Sequence, residues 1–501
     1  MDRICIVGGG TSAWLTAAHL SNNLDQEIVV IDSKFSKTVE VGEATLPTFI
    51  EFWKECGFSG YDLFNEVDAT IKAGILFKNW QEEGKNIWHP FYRGQNDIWD
   101  DNPLIQRHAF KYELWSKDQS CDVKYSMGGY DRCVLHNRIE PEQLAYSIEI
   151  NDIVNQLSTV HINCKKIVEY IQRKLKSKVK FIQSAVKDIS GNVKSLKLED
   201  GQVIHGDLFI DCTGFKSILK KQKRVTLYNR LFCDTAVASH IPYEDQPNEL
   251  RPYTTCESVE HGWVWNIPLE NNIGSGLVYN REITDTSKAI EYFINYWDNR
   301  ITEDQCKVID WTPYYIENFW ENNVVSIGLS GGFLEPLEST GIATMTMQIQ
   351  NLYGLIREGW YTERDVALYN NICISSYERN INFVNLHYHE SKKTGVFWDH
   401  VRQNHIKSDT QKHYENFLKD PYMKMHPPSY YNRSPFAFES WICIMSQMNF
   451  DKVPKKTNDH TPIDKNIHYY RILETNIEGV DYPTYLKEVI KNNKLLWTGK
   501  F

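Results

Sequence analysis

The chain has 501 residues, a formal net charge of −10, and 42% hydrophobic and 13% aromatic content. That length allows two or three domains, or one large α/β unit with a substantial core. Net acidity argues against a nucleic-acid partner, because counterion release needs clustered Lys and Arg. The one basic run, "CKKIVEYIQRKLKSKVKF" (164–181), is interrupted by Ile, Val, Tyr and Leu, and reads as a solvated helix face leading into a strand. Eleven Cys, an odd number without a CxxC pair, read as reduced and mostly buried thiols. The start "MDRICIVGGG" enters a strand at once, and no apolar run reaches transmembrane length. A cytoplasmic protein without a membrane partner is expected.

From the N-terminus, "RICIV" (3–7), "GGGTSAWLTAAHLSNNL" and "QEIVVID" predict a strand, a glycine turn, an amphipathic helix and a second strand ending at Asp32. The turn reads Gly8-x-Gly10-x-x-Ala13. Gly8 allows the tight turn, Gly10 lets backbone approach a pyrophosphate, and small Ala13 lets helix and strand pack closely. Asp32, 24 residues after Gly8, stands where a carboxylate would accept a ribose hydroxyl.

Further along, Ile71, Ala73, Ile75 and Phe77 alternate as one face of a strand and leave Lys72 on the other, where a lysine ordinarily meets solvent. Residues 80–136 hold Trp80, Trp88, His89, Phe91, Tyr92, Trp99 and Trp115 among turn formers, which suggests an aromatic insertion. Residues 193–215 predict a hairpin around Asp200-Gly201, then a buried strand ending at Asp211. Residues 223–321 alternate β-like runs with turns. "NVVSIGLSGGFLEPLESTGI" then gives an apolar strand, glycines, and a helix start near Thr340. Glu338 precedes that start, where a carboxylate ordinarily caps a helix or sits on the surface. From about 360 the chain turns polar and helix-rich, with a Pro-interrupted loop at 421–436.

Three dinucleotide-type segments suit FAD better than NAD alone. The expected fold is α/β with α+β elements: a Rossmann-like, flavin-monooxygenase-type FAD-binding fold with a helical C-terminal substrate part. Residues 1–360 are expected to form the FAD module, with inserted substrate-side segments at about 80–136 and 223–321. Residues 361–501 are expected to form the C-terminal cap.

These residues carry a resemblance. "GGGTSAW" (8–14), "VGEATLP" (41–47), the lysine of "IKAGILFKNW" (71–80), "GWVWNIPL" (262–269) and "GLSGGFLEPLESTGI" (328–342) resemble the flavin-dependent halogenases of the tryptophan-halogenase family. The resemblance implies an enzyme that uses reduced FAD, supplied by a separate flavin reductase, with O2 and halide. It makes hypohalous acid, which travels through a tunnel to halogenate an aromatic substrate electrophilically. The catalytic pair maps to Lys72 and Glu338, and the halide to the amides of Thr340 and Gly341. Cofactor contacts map to Gly8, Gly10, Thr11, Ser12, Ala13, Asp32, Glu43, Ala44, Thr45, Asp211, Gly328, Leu334, Pro336 and Ile342.

On the same resemblance, Glu43 belongs to a strap over the flavin, with a loop carboxylate as the plain alternative. Trp263 and Trp265 bar organic substrates from the flavin. His89, Phe91 and Trp441 stand on the substrate side, and ordinary core packing is the alternative for all five aromatics. The stretch 429–450 has Tyr430, Tyr431 and Glu439 but not the spacing that grips a free amino acid. An indole- or phenol-type arene is therefore as plausible a substrate as tryptophan. An aromatic hydroxylase is the competing reading, a homo-oligomer is compatible with the sequence, and no metal is expected.

Overall fold

The computed structural model describes residues 1–33, 42–81, 83–91, 138–139, 158–190, 193–419, 436, 438–448, 480–484 and 486–487. Trp99, Trp115, the 421–435 loop and residues Tyr430 and Tyr431 lie outside the described residues. Two compact units share the chain: Met1–Ala69, Ile162–Tyr228 and Trp311–Glu378 form one, and Thr70–His161, Asn229–Asp310 and Arg379–Phe501 form the other.

In the first unit, the inner strands are apolar runs buried on both faces, the signature of a covered parallel sheet. Its order is Trp320–Glu321, Val324–Ser326, Leu208–Asp211, Arg3–Val7, Glu27–Asp32, Lys180–Gln183, parallel throughout except for the first, short strand. The register sets Val7 beside both Ile31 and Asp211, and Asp211 beside Ser326. Three successive strand ends therefore lie abreast, and the turns that leave them share one edge.

The Thr11–Asn23 helix returns along the sheet with Ala13, Ala17 and Ala18 fully buried, small side chains that permit close approach. Cys5, Val7, Val29 and Ile31 pack with Leu196, Leu198 and Ile204 of a three-stranded meander. That meander contains the expected hairpin: Ser195–Leu198 pairs antiparallel with Val203–His205, and Gly201 takes a φ of +88° in the turn. The basic run becomes the helix Cys164–Leu175, which buries Ile167, Val168, Tyr170 and Ile171 and exposes Lys165, Arg173 and Lys174. Asn163 caps it by accepting from the Lys166 amide at 3.1 Å, and the strand Lys180–Gln183 follows.

The second unit is built on a seven-stranded sheet. Its order is Lys307–Asp310, Thr235–Pro242, Asn272–Tyr279, Gly262–Pro268, Thr254–Val259, Gly74–Lys78, Asn86–Pro90. The one parallel pairing is between Thr254–Val259 and Gly74–Lys78. The helix Thr286–Tyr296, capped by Asp285 on the Ser287 amide at 2.9 Å, closes a core of Val237, Val264, Leu277, Tyr279 and Phe293. The Asn86–Pro90 edge strand does not end in open backbone. Gln447 of the Phe438–Met448 helix accepts from the Trp88 amide at 2.9 Å and donates to its carbonyl at 2.8 Å, as a neighbouring strand would.

All nine described cysteines are free, eight of them buried and Cys306 partly so. Among the described residues no helix is long and apolar enough to cross a membrane.

Candidate functional site

The first unit gathers the dinucleotide-type turns at the C-terminal ends of its parallel strands, where open α/β sheets bind their ligands. The Gly8 amide donates to Ile31 O at 2.8 Å, and the φ of +131° at Gly8 is one that only glycine adopts freely. A Cβ there would meet Cys212 O at 2.3 Å. One at Gly9 would lie 1.8 Å from Asp32 Oδ2, so the Asp32 carboxylate rests against this turn. At Gly9, a variable position of the sequence pattern, a side chain would have to displace the Asp32 carboxylate, whereas at Gly8 it would meet backbone. Gly10 differs, because a Cβ there would meet nothing within 4 Å. It is also the N-cap of the Thr11–Asn23 helix and supplies no side-chain cap. An open face over a helix N-terminus without a side-chain cap is what a pyrophosphate needs. These residues fit FAD.

Gly328 approaches the same helix start, a Cβ on it falling 2.9 Å from Ser12 Cβ. Asp211 is buried and spends its carboxylate on its own turn. Oδ1 accepts from the Thr213 amide at 2.9 Å and hydroxyl at 2.6 Å, and Oδ2 from the Leu219 amide at 2.9 Å. Burial nevertheless lifts its pKa above the usual aspartate range, against the pull of those hydrogen bonds. Ala44 and Thr45 are buried, and the neighbouring Glu43 carboxyl is pushed up to about 7 by loss of solvation.

The segment Leu334–Ile342 carries two consecutive strained residues. Glu338 and Ser339 sit consecutively in the left-handed region, at φ 63° and 60°, which non-glycine residues adopt at a cost of about 1–3 kcal/mol each. Glu338 is 1% exposed, so it is not the surface carboxylate that local sequence suggests. The helix Thr340–Ile356 starts where expected. Its N-cap Ser339 makes no side-chain cap bond, Thr340 is buried, and Gly341 faces open space. Leu334 and Ile342 are buried and Pro336 is exposed. Glu335, fully buried three residues before Glu338, is a second carboxylate that pattern reading passes over.

Lys72 and the aromatic residues belong to the second unit. One alternating strand over 71–77 was the expectation, and the structure corrects it. Thr70–Lys72 and Gly74–Lys78 are separate strands in different sheets, and every residue from Thr70 to Phe77 is buried. The break is at Ala73, whose amide donates to Pro252 O at 2.8 Å and whose carbonyl accepts from the Phe91 amide at 3.0 Å. Both faces are covered, so Lys72 has no solvent-exposed surface. Its Nζ lies 4.9 Å from the centroid of the Phe91 ring, within cation–π range.

Trp263 and Trp265 lie on the Gly262–Pro268 strand with ring centroids 6.3 Å apart. The Trp263 indole donates to the Tyr388 hydroxyl at 2.7 Å. The Trp265 ring fits because its cross-strand partner is Gly276, where a Cβ would lie 2.2 Å from the indole. The Trp265 N–H is buried and meets no acceptor among the described residues. His89 and Trp441 are brought together through Phe383, at centroid distances of 5.7 and 5.3 Å, and Phe436 stacks on the same ring at 4.2 Å.

Comparison with known proteins gives this arrangement its context. A family model described as tryptophan halogenase matches residues 3–462. Tryptophan 6-halogenase SttH of Streptomyces toxytricini is 29% identical over 77% of this chain and 78% of its own. Tryptophan 7-halogenase RebH of Lentzea aerocolonigenes is 26% identical over 79% and 78%. Xcc4156, a flavin-dependent halogenase from Xanthomonas campestris, superposes with a TM-score of 0.82 at 25% identity, covering 97% of each chain. The match along residues 3–462 takes in the strand-end glycine turns and the Glu338–Gly341 segment, and the chain belongs to the tryptophan halogenase family of flavin-dependent halogenases.

Proposed function

We propose that this halogenase takes reduced FAD from a separate reductase and directs hypohalous acid onto an indole- or phenol-type arene through Lys72 and Glu338. Gly8, Gly10, Thr11, Ser12 and Ala13 would carry the pyrophosphate, with Asp32 toward the ribose. Glu43, Ala44, Thr45, Asp211, Gly328, Leu334, Pro336 and Ile342 would border the rest of the cofactor. Reduced FAD supplies, with O2, the oxidising equivalent that converts halide to hypohalous acid.

The protein's own work is placement. The Thr340 and Gly341 amides, at a helix start without a side-chain cap, favour an anion and would hold the halide. The Lys72 amine would hold hypohalous acid by a hydrogen bond, or carry the halogen as a haloamine. Glu338 would accept the proton that the ring releases as carbon–halogen bond formation completes. The balance is arene plus hypohalous acid giving haloarene plus water. Trp263 and Trp265 would bar the arene from the flavin, and His89, Phe91 and Trp441 would offer it aromatic surface.

The observation that carries this reading is Glu338, a carboxylate buried at positive φ two residues before the Thr340–Ile356 helix. Backbone strain of that kind persists where the surrounding structure enforces it, and it clusters at active sites. The test is to incubate enzyme, reductase, FAD and each halide with a set of arenes and read masses. A halide-dependent product supports the reading. Halide-independent oxygen insertion would establish the hydroxylase instead.

A further inference from the structure

One imidazole, that of His161, lies among the ties that hold the buried strand carrying Lys72. Thr70, Lys72, Thr159 and His161 occupy one face of the Thr70–Lys72 and Thr159–Ile162 pair, because Thr70 lies opposite His161 and Lys72 opposite Thr159. The Thr70 hydroxyl donates to Pro268 O at 2.5 Å. A hydroxyl has one hydrogen, so toward His161 Nδ1, at 3.0 Å, Thr70 can only accept. Nδ1 therefore carries the proton. Nε2 of the neutral ring is then a bare acceptor, and the Thr254 hydroxyl 2.9 Å away donates to it.

Each polar atom of this chain is satisfied with His161 neutral, in one tautomer. Burial, and next the positive charge of Lys72, hold its pKa well below the usual histidine range against an opposing backbone contact at Pro268. Pro268 ends one strand of the seven-stranded sheet and Thr254 begins the next. His161 thus links the Lys72 strand, through Thr70, to the Thr254 strand end, while Thr70 itself reaches the Pro268 strand end and the Tyr482 hydroxyl accepts from the Ile71 amide at 2.5 Å.

We infer that His161 is a positioning residue for Lys72: its two hydrogen bonds, through Thr70 and Thr254, set where the amine stands. This inference rests on the catalytic reading of Lys72. A lysine on a short strand has four rotatable bonds, and a loosened strand moves its amine by a distance that matters. A displacement near 1 Å costs on the order of 10²-fold in rate. Because the amine would act on oxidant already released, its misplacement should leave halide oxidation intact and let hypohalous acid escape.

The experiment compares His161→Phe, His161→Asn, Thr254→Val and Lys72→Ala with the parent. It measures arene halogenation and, separately, hypohalous acid caught by a diketone trap. Phe keeps the ring but neither hydrogen bond, Asn keeps a donor toward Thr70, and Val removes only the Thr254 hydroxyl. The expected result is arene halogenation lowered about 10–100-fold in kcat by His161→Phe, with trapped oxidant undiminished and activity partly restored in His161→Asn. Thr254→Val should show the same uncoupling to a smaller degree, and it decides the matter if His161→Phe does not fold. Parent-like coupling in folded His161→Phe or Thr254→Val, beside an inactive Lys72→Ala, would overturn the role of His161 alone. Parent-like halogenation by Lys72→Ala would remove the catalytic reading of Lys72, and this inference with it.

Discussion

Trp263 and Tyr388 are joined by a hydrogen bond of 2.7 Å across 125 residues, the indole donating to the phenol with both side chains buried. The Cys233 thiol reaches the same hydroxyl at 3.4 Å. Tyr388→Phe keeps the ring volume but strands the indole N–H. The variant should lose about 1–3 kcal/mol of stability in urea denaturation, the cost of a buried donor left without its acceptor.

Gly8 and Gly10 stand two residues apart in one turn and should fail in different ways. A Cβ at Gly8 meets Cys212 backbone at 2.3 Å in a φ of +131°, so Gly8→Ala should destabilise the fold by about 2–4 kcal/mol. Gly10 has an ordinary φ of −84° and open space beside it. Gly10→Ala should keep the parent melting temperature while weakening FAD binding about tenfold or more, since the methyl group occupies the pyrophosphate approach. Fluorescence titration and thermal melts separate the two outcomes.

Glu43 gives the stability a pH dependence with a definite sign. Its carboxyl titrates at about 7 in the folded chain, against about 4.3 when unfolded. Between those values the unfolded state has released its proton and the folded state has not. The contribution of Glu43 to stability should therefore be full below about pH 4.3, fall as pH rises, and level off above about 7, opposite in sign to that of carboxylates with lowered pKa such as Glu55 and Glu249. Glu43→Gln should remove about 2–3 kcal/mol of that fall, as read from the difference between parent and variant denaturation curves at pH 5 and pH 8.

Glu338→Gln keeps the shape of the side chain and the backbone of the turn. Arene halogenation should slow about 10²–10⁴-fold, the scale of a positioned base. FAD binding and halide binding should persist, because the anion site is made of the Thr340 and Gly341 amides. Stopped-flow turnover beside a flavin titration checks both halves.

What the sequence discloses here is local, and what it hides is not. The Gly8–Ala13 turn, the hairpin at Asp200-Gly201 and the helix start at Thr340 are each encoded within a few residues by glycines and apolar periodicity. The burial of Lys72 depends on Thr159 and His161, about 90 residues later, and on Tyr482, more than 400 residues away, so no window around it could reveal the covered face. Positive φ at Glu338 and Ser339 opposes the preference of both residue types, and only the surrounding fold enforces it. Gly9 escapes the fingerprint because its constraint is the Asp32 carboxylate, a contact made across the sheet. Tyr388 carries no motif, and its role follows from facing Trp263.

The most direct test of the account is the fate of the oxidant in Lys72→Ala. Parent and variant are supplied with reductase, FAD, O2, halide and arene, and haloarene and trapped hypohalous acid are counted per reduced FAD consumed. Placement of the halogen by Lys72 predicts that haloarene vanishes while trapped oxidant stays at the parent level or rises. Haloarene formed by the variant at the parent yield would contradict it.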